Sequence, residues 1–258
     1  MRVVSRFRRR SEEERAGSMT VMEHLEELRH RIIVCVIAVG VCGIAAWFLY
    51  EPVKELLRDP FCQYITDNPQ VRPPAGCDLV FSGPIDGFLV KLKMVGFLAL
   101  AIALPIVLYQ LWAFIVPGLT AKEKKWSIPF VVSSCVLFAL GAVFAYVTLP
   151  KALDFLLGFA GEGVVPLITF DRYMGFVVLV TLAFGISFLF PVLLVFLEAV
   201  GVLSTRKLRE WRRWAILGIA IFAAVITPSG DPYTMFAMMI PMYLFYEGSI
   251  IIGRMMKR

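Results

Sequence analysis

HLEELRHRIIVCVIAVGVCGIAAWFLY, residues 24–50, joins a dense charged octad (His24 to Arg31) to nineteen residues without a single charge (Ile32 to Tyr50). The second half is long enough to cross a membrane, because about 20 largely apolar residues span a hydrocarbon core about 30 Å thick. The first half is a helix start. Thr20 and Glu23 have capping-box spacing. Leu25, Leu28 and Ile32 fall on one helical face, and Glu27/Arg31 and Glu26/His30 are i,i+4 pairs. The octad is expected to lie as a short amphipathic piece along the membrane surface before the chain turns inward. The plainer reading is a solvated, self-paired helix start, and the segment alone does not separate the two.

Working outward, the same absence of charge recurs at Met94–Ala121, Trp126–Pro150, Tyr173–Leu197, Trp214–Gly230 and Pro232–Tyr246, the last continuing past Glu247 to Gly253. An apolar fraction of 59% and a mean hydropathy of +0.77 are too high for an ordinary soluble domain of this 258-residue length. A cleaved leader is not expected, since no small-residue cleavage site follows the first run and five more runs come after it. Lipid demands internally satisfied backbone, so spans are helices or closed barrels. Uninterrupted apolar runs lack the alternation of a barrel. The expectation is an all-α membrane protein of six transmembrane helices, at about 32–50, 90–116, 127–150, 172–199, 213–229 and 232–252. Together they form one domain over residues 19–253, after a disordered tail at 1–18 and before a short tail at 254–258.

Lys and Arg set the orientation. The N-terminal segment, Lys122–Lys125, Arg206–Arg213 and the C-terminal tail hold nineteen of the 26 basic residues. Those segments are expected on the cytoplasmic side, with both termini cytoplasmic. The basic run Arg2–Arg10 then reads as a topology and anionic-lipid signal, and no nucleic-acid partner is expected. The longest loop, Glu51 to about Asp86, falls outside. Glu51–Leu57 reads as a short interfacial helix there, and Asn68 to Gly76 as irregular. Cys62 and Cys77, the only cysteines outside the spans, are candidates for a disulfide or two unpaired thiols. Cys35, Cys42 and Cys135 read as packing residues. Pro105 and Pro191 sit within spans and should kink them.

Four acids need an explanation. Glu198 and Glu247 sit near the ends of spans four and six, where a carboxylate either reaches the headgroups or serves a function. Asp231, in the tight turn Thr227–Pro232, reads as a turn cap. Glu123 stands among Lys122, Lys124 and Lys125, either a self-screened loop charge or, with Glu27, part of a site for guanidinium groups, which carboxylates bind bidentately. The sequence has no phosphate-binding loop and no HExxH motif, and its two histidines, His24 and His30, are both in the octad. No enzymatic activity, cofactor or metal is expected.

Several blocks carry a specific likeness: HLEELRHR (24–31), ALPIVLYQLWAFIVPGLTAKEKK (103–125), SIPFVVSSCVLFALGAVFAY (127–146), LAFGISFLFPV (182–192), ITPSGDP (226–232) and MMIPMYLFYEGSI (238–250). In content, order and spacing they resemble the TatC family, the multispanning subunit of the twin-arginine protein translocase. The resemblance implies six helices in a concave, glove-like body in the bacterial cytoplasmic membrane. It implies recognition of paired-arginine signal peptides on folded cargo, exported with the proton-motive force. It also implies self-association and single-span partners of the TatA and TatB type, alongside membrane lipids. The family's signal-contacting glutamates match Glu27 and Glu123. Its functional arginine matches Arg29, its aromatic residue Phe114 and its outer-turn aspartate Asp231, with Pro105 in a supporting block. One departure is visible: the intramembrane glutamate many members carry in the fourth helix is Leu189 here. The competing functions are a small-solute secondary transporter or a membrane scaffold.

Overall fold

A computed structural model describes residues 21–68, 76–115, 127–159, 167–199, 201–227 and 230–256. The described residues form helices α1 (Val21–Asp67), α2 (Asp86–Ile115), α3 (Ser127–Gly158), α4 (Phe170–Ser187), α5 (Phe190–Ala199), α6 (Thr205–Glu210), α7 (Arg212–Ile226) and α8 (Pro232–Met256). The one bridge among them is an isolated parallel pair, Val80 with Thr169. The protein is an all-α, multispanning membrane protein. Five segments are long and apolar enough to cross: Met22–Asp67, Asp86–Phe114, Ile128–Gly158, Phe170–Ala199 and Pro232–Met255. α7 has 15 residues, and at 1.5 Å per residue it is about 22 Å long, short of the ~30 Å core.

The first helix differs from the sequence expectation. The octad does not form a separate surface piece, and Glu51–Leu57 is not a separate interfacial helix. Both belong to α1, which runs 47 residues without a break, about 70 Å at the α-helical rise. Pro52 and Pro60 lie inside it. Each lacks the N–H that would bond the carbonyl four residues earlier, yet the helix continues. Its far half gains support from α4, where Tyr173 Oη donates to Leu57 O (2.9 Å) and the Tyr173 ring meets Phe61 at 5.4 Å.

Pro105 also lies within an unbroken helix, α2. Pro191 marks a real interruption, because the fourth span divides into α4 and α5 just before it. Pro191 has no N–H to give Ser187 O, and a residue before proline is steered away from the helical region. The chain tightens instead: Leu189 N donates to Ile186 O (3.0 Å), and regular pairing resumes with Leu193 N to Leu189 O (3.2 Å). Leu189 sits in this break.

The core runs along α4. Half of the apolar window in Phe170–Ala199 is buried, against 6% for α1, so α4–α5 is central and α1 faces its surroundings. Val177, Val180, Phe184 and Met174 are fully enclosed, with Met238, Met242 and Ile250 of α8 closing one side. α3 and α4 approach at Gly141 and Gly185. A Cβ on Gly141 would lie 2.7 Å from Phe184 O, and one on Gly185 would lie 2.6 Å from the Phe138 ring. Small residues let helix backbones meet where lipid supplies no hydrophobic drive between them. The outward faces carry Phe48, Val147, Val225 and Leu244, all well exposed on the isolated chain, as a lipid-facing surface requires.

Contacts also sort the two ends of the bundle. One end joins the start of α1 to the end of α2 (His24–Phe114, 4.4 Å) and stacks Trp112 on Phe130 (5.0 Å), with Phe196 edge-on (4.3 Å). The other joins the end of α1 to α3 (Asn68 Nδ2 to Asp154 Oδ1, 3.3 Å), α2 to α4 (Lys93–Asp171, 2.8 Å) and α3 to α8 (Phe155–Tyr233, 6.3 Å).

Candidate functional site

Glu27 lies just inside the first turns of α1 and is half-buried because that helix packs on the end of α2. Its Oε1 accepts both Nε (3.0 Å) and a terminal nitrogen of Arg31, one turn later. The other terminal nitrogen of Arg31 donates across to Gln110 Oε1 on α2 (3.1 Å). Both Arg31 donors to the acid converge on one oxygen, so the pair is not the two-oxygen fork that a free guanidinium makes with a carboxylate. Glu27 Oε2 is enclosed and has no hydrogen-bond partner among the described residues. A buried acceptor without a donor costs about 1–3 kcal/mol, so this oxygen is a place where an incoming donor would gain.

His24, one turn before Glu27, stacks on Phe114 with ring centroids 4.4 Å apart and planes 19° apart. The site therefore joins Glu27 and Phe114, two of the residues singled out in the sequence. Arg29 is close in sequence but exposed on another face. Glu123 lies outside the described residues, as does the basic run Arg2–Arg10. Gln110 was missed by the sequence reading. Its signal was there: it is the one side-chain amide in the charge-free run Met94–Ala121.

The remaining acids fall into distinct environments. Glu247 accepts Arg212 Nη2 (2.6 Å) and Tyr243 Oη (3.2 Å), which ties α7 to α8. Asp231 caps α8: its Oδ1 accepts Thr234 N (2.7 Å), with Pro232 in the first helical position. The structure excludes one of the two sequence readings of Glu198. It does not reach out to the headgroups; it is 5% exposed, and neither carboxylate oxygen has a partner among the described residues. It points at Gly253 of α8, where a Cβ would come within 2.3 Å of its Oε2. Tyr246 closes the same corner, donating to Leu208 O of α6 (2.6 Å). Glu198 does not stand in for the acid missing at Leu189, since it faces the α5–α8 contact and Leu189 the α4–α5 break.

No group of three or more His, Cys, Asp or Glu gathers to hold a metal among the described residues. Cys62 and Cys77 are free thiols in this structure, and Cys77 is a near neighbour of the Cys62 thiol.

The family described as Sec-independent protein translocase protein (TatC) matches residues 23–241. The Frankia casuarinae Sec-independent protein translocase protein TatC is 44% identical over 239 residues, covering 91% of this chain and 65% of that relative. The Aquifex aeolicus protein of the same description is 36% identical over 243 residues, covering 93% of this chain and 97% of its own. The crystal structure of the twin-arginine translocase receptor TatC superposes with a TM-score of 0.73 at 36% identity, covering 92% of this chain and all of that one. The chain belongs to the TatC family: it is a multi-pass membrane subunit of the Sec-independent protein translocase of the bacterial inner membrane, and not an enzyme.

Proposed function

We propose that this subunit is the receptor for paired-arginine signal peptides, and that Glu27 is the acid that receives one of the arginines. The observation that carries the reading is the state of the Glu27 carboxylate. One oxygen accepts a guanidinium, and the other is enclosed and unpartnered beside the His24–Phe114 stack. Carboxylate and guanidinium match in geometry as well as charge. Glu123 supplies the second acid from the loop after α2, with Arg29 and Phe114 at the margins and Pro105 shaping the helix that carries Phe114. Asp231 holds the far turn.

The receptor has six spans in a concave body, with both termini in the cytoplasm. α7 is the fifth of these spans, its shortness met by local thinning of the bilayer. The excess of Lys and Arg beside the start of α1, the α2–α3 loop, α6 and the C-terminus supports that orientation. It puts Glu27 where a signal peptide arrives, with the apolar part of the peptide following the helices inward. Six helices are too few to surround a folded cargo protein, so passage needs further copies of this chain and single-span subunits of the TatA and TatB type. The sequence carries no phosphate-binding loop, and the proton-motive force drives passage.

The test is capture of the detergent-solubilised protein on a paired-arginine signal peptide and on its paired-lysine variant. Selective capture on the arginine form is expected. Equal capture on both, or none on either, removes the receptor assignment. Reversing the charge at Glu123 (Glu123→Lys) should abolish export of such cargo while membrane insertion stays normal, and undiminished export would remove Glu123 from the site.

A further inference from the structure

The end of α1 and the loop after it meet along a short matched seam. Arg58 and Cys62 are four residues apart on one face of α1. Opposite them lie Asp78 and Cys77, consecutive in the loop. Arg58 Nη1 is 3.6 Å from Asp78 Oδ1, and Cys77, next to Asp78, is a near neighbour of the Cys62 thiol. The ion pair and the thiol pair agree in register, so the two cysteines face each other by the packing of the seam. Three residues beyond Cys77, Val80 pairs with Thr169, its carbonyl accepting Phe170 N (2.9 Å), and Phe81 meets the Phe170 ring edge-on at 5.4 Å. The segment from Cys77 to Phe81 thus bridges the end of α1 and the start of α4.

We infer that Cys62 and Cys77 form a disulfide in the mature protein, a covalent staple that holds this bridge on the extracytoplasmic face. The inference rests on the orientation proposed above, which puts both thiols in the compartment where disulfides persist. The chemistry is exchange with a disulfide-bearing oxidant there. One thiolate attacks a sulfur of the oxidant, and the second attacks the mixed disulfide. The Cys62–Cys77 bond forms and the oxidant's bond breaks. Two electrons pass to the oxidant, and the two protons end on its released thiols. The cysteines within the spans, Cys35, Cys42 and Cys135, take no part.

The staple ties the end of α1 to Cys77 at a point where noncovalent support is modest. Asp78 is 82% exposed in its ion pair, and exposed pairs of this kind hold little. The covalent bond fixes what the ion pair only aligns. It keeps Val80 on Thr169, and so keeps the start of α4, the central helix, in position.

The test labels the protein in intact cells with a membrane-impermeant maleimide, before and after reduction, and reads the sites by peptide mass. Cys62 and Cys77 should stay unlabelled until reductant is added and then take label from outside. Each single variant, Cys62→Ser or Cys77→Ser, should expose the other thiol without reductant. Labelling of both wild-type cysteines from outside without reductant overturns the disulfide and leaves the orientation standing. Labelling only from the cytoplasmic side overturns the orientation, and the disulfide with it. As a final check, reduced protein is alkylated in denaturing detergent, where five labelled cysteines are expected. Fewer than two newly labelled on reduction overturns the proposal.

Discussion

Glu27 and Glu198 are both carboxylates drawn into the body of a membrane protein, and they differ in one respect that decides their use. Glu27 stands where α1 meets the end of α2, its side chain 20% exposed, with one oxygen held by Arg31 and the other enclosed and unpartnered among the described residues. Glu198 lies where α5 meets α8, 5% exposed, with both oxygens unpartnered among the described residues and a glycine for a wall. Glu27 is oriented by Arg31 and keeps part of its side chain exposed; Glu198 is shut in. An acid serves recognition only when its geometry is fixed and a ligand can reach it. Burial alone gives only a desolvation cost.

The largest effect that breaks the comparison is at Glu27. Glu27→Gln keeps the shape and removes the charge, which is what a guanidinium needs. Binding of a paired-arginine peptide should weaken about tenfold or more, a loss of about 1.4 kcal/mol or more. The thermal midpoint in detergent should barely move, because the partly exposed Glu27–Arg31 pair contributes little to folding. Isothermal titration and a melting curve on one preparation measure both. A large fall in melting temperature with unchanged binding would reverse the assignment and make Glu27 the structural acid.

Glu198 should behave in the opposite way. Replacing an enclosed, unpartnered carboxylate with an apolar side chain of similar length removes its desolvation cost. Glu198→Met is therefore expected to raise stability by about 1–3 kcal/mol, with paired-arginine peptide binding unchanged. Gly253→Ala should destabilise the native protein, since the new Cβ would sit 2.3–2.6 Å from the carboxylate. The same change made together with Glu198→Ala should be harmless, a coupling of about 0.5–3 kcal/mol in a double-mutant cycle. A melting temperature that falls on Glu198→Met would show that a cation from outside the described residues holds this acid.

The two acids also mark how far the sequence could be read. Charge-free runs are a local property, so the helices and their membrane class are legible from Ile32–Tyr50 and its successors. The octad's chemistry is legible too, because i,i+4 pairing needs only a helix. Its geometry is not: whether α1 turns at Arg31 or continues to Asp67 depends on packing against α2 and α4. Gln110 and His24 enter the site through contacts between residues 79 and 90 positions apart, Arg31 with Gln110 and His24 with Phe114, and no periodicity encodes those. The two readings of Glu198 stayed open in the sequence for the same reason. Its distance from the span's end is visible in the sequence, but the fold of α6 over that end and the notch at Gly253 are not.

The finest distinction lies within the Glu27 site, at Arg31. Arg31 either orients the carboxylate for its ligand or competes with the ligand for it. The geometry favours competition. Both Arg31 donors fall on Oε1, so the fork that a signal arginine would make with both oxygens is half taken. Arg31 also has a second anchor in Gln110, which keeps it in place when it gives up the acid. Arg31→Gln removes the competitor and one positive charge together, and both changes favour a cationic peptide. Affinity for the paired-arginine form should rise about two- to fivefold, under 1 kcal/mol because the pair is partly solvated. Association should quicken, since no internal pair has to part first. The sign is opposite to that of Glu27→Gln, which separates the two roles without any reference to magnitude. Weaker binding by Arg31→Gln, restored by Arg31→Lys, would make Arg31 the residue that holds Glu27 in place.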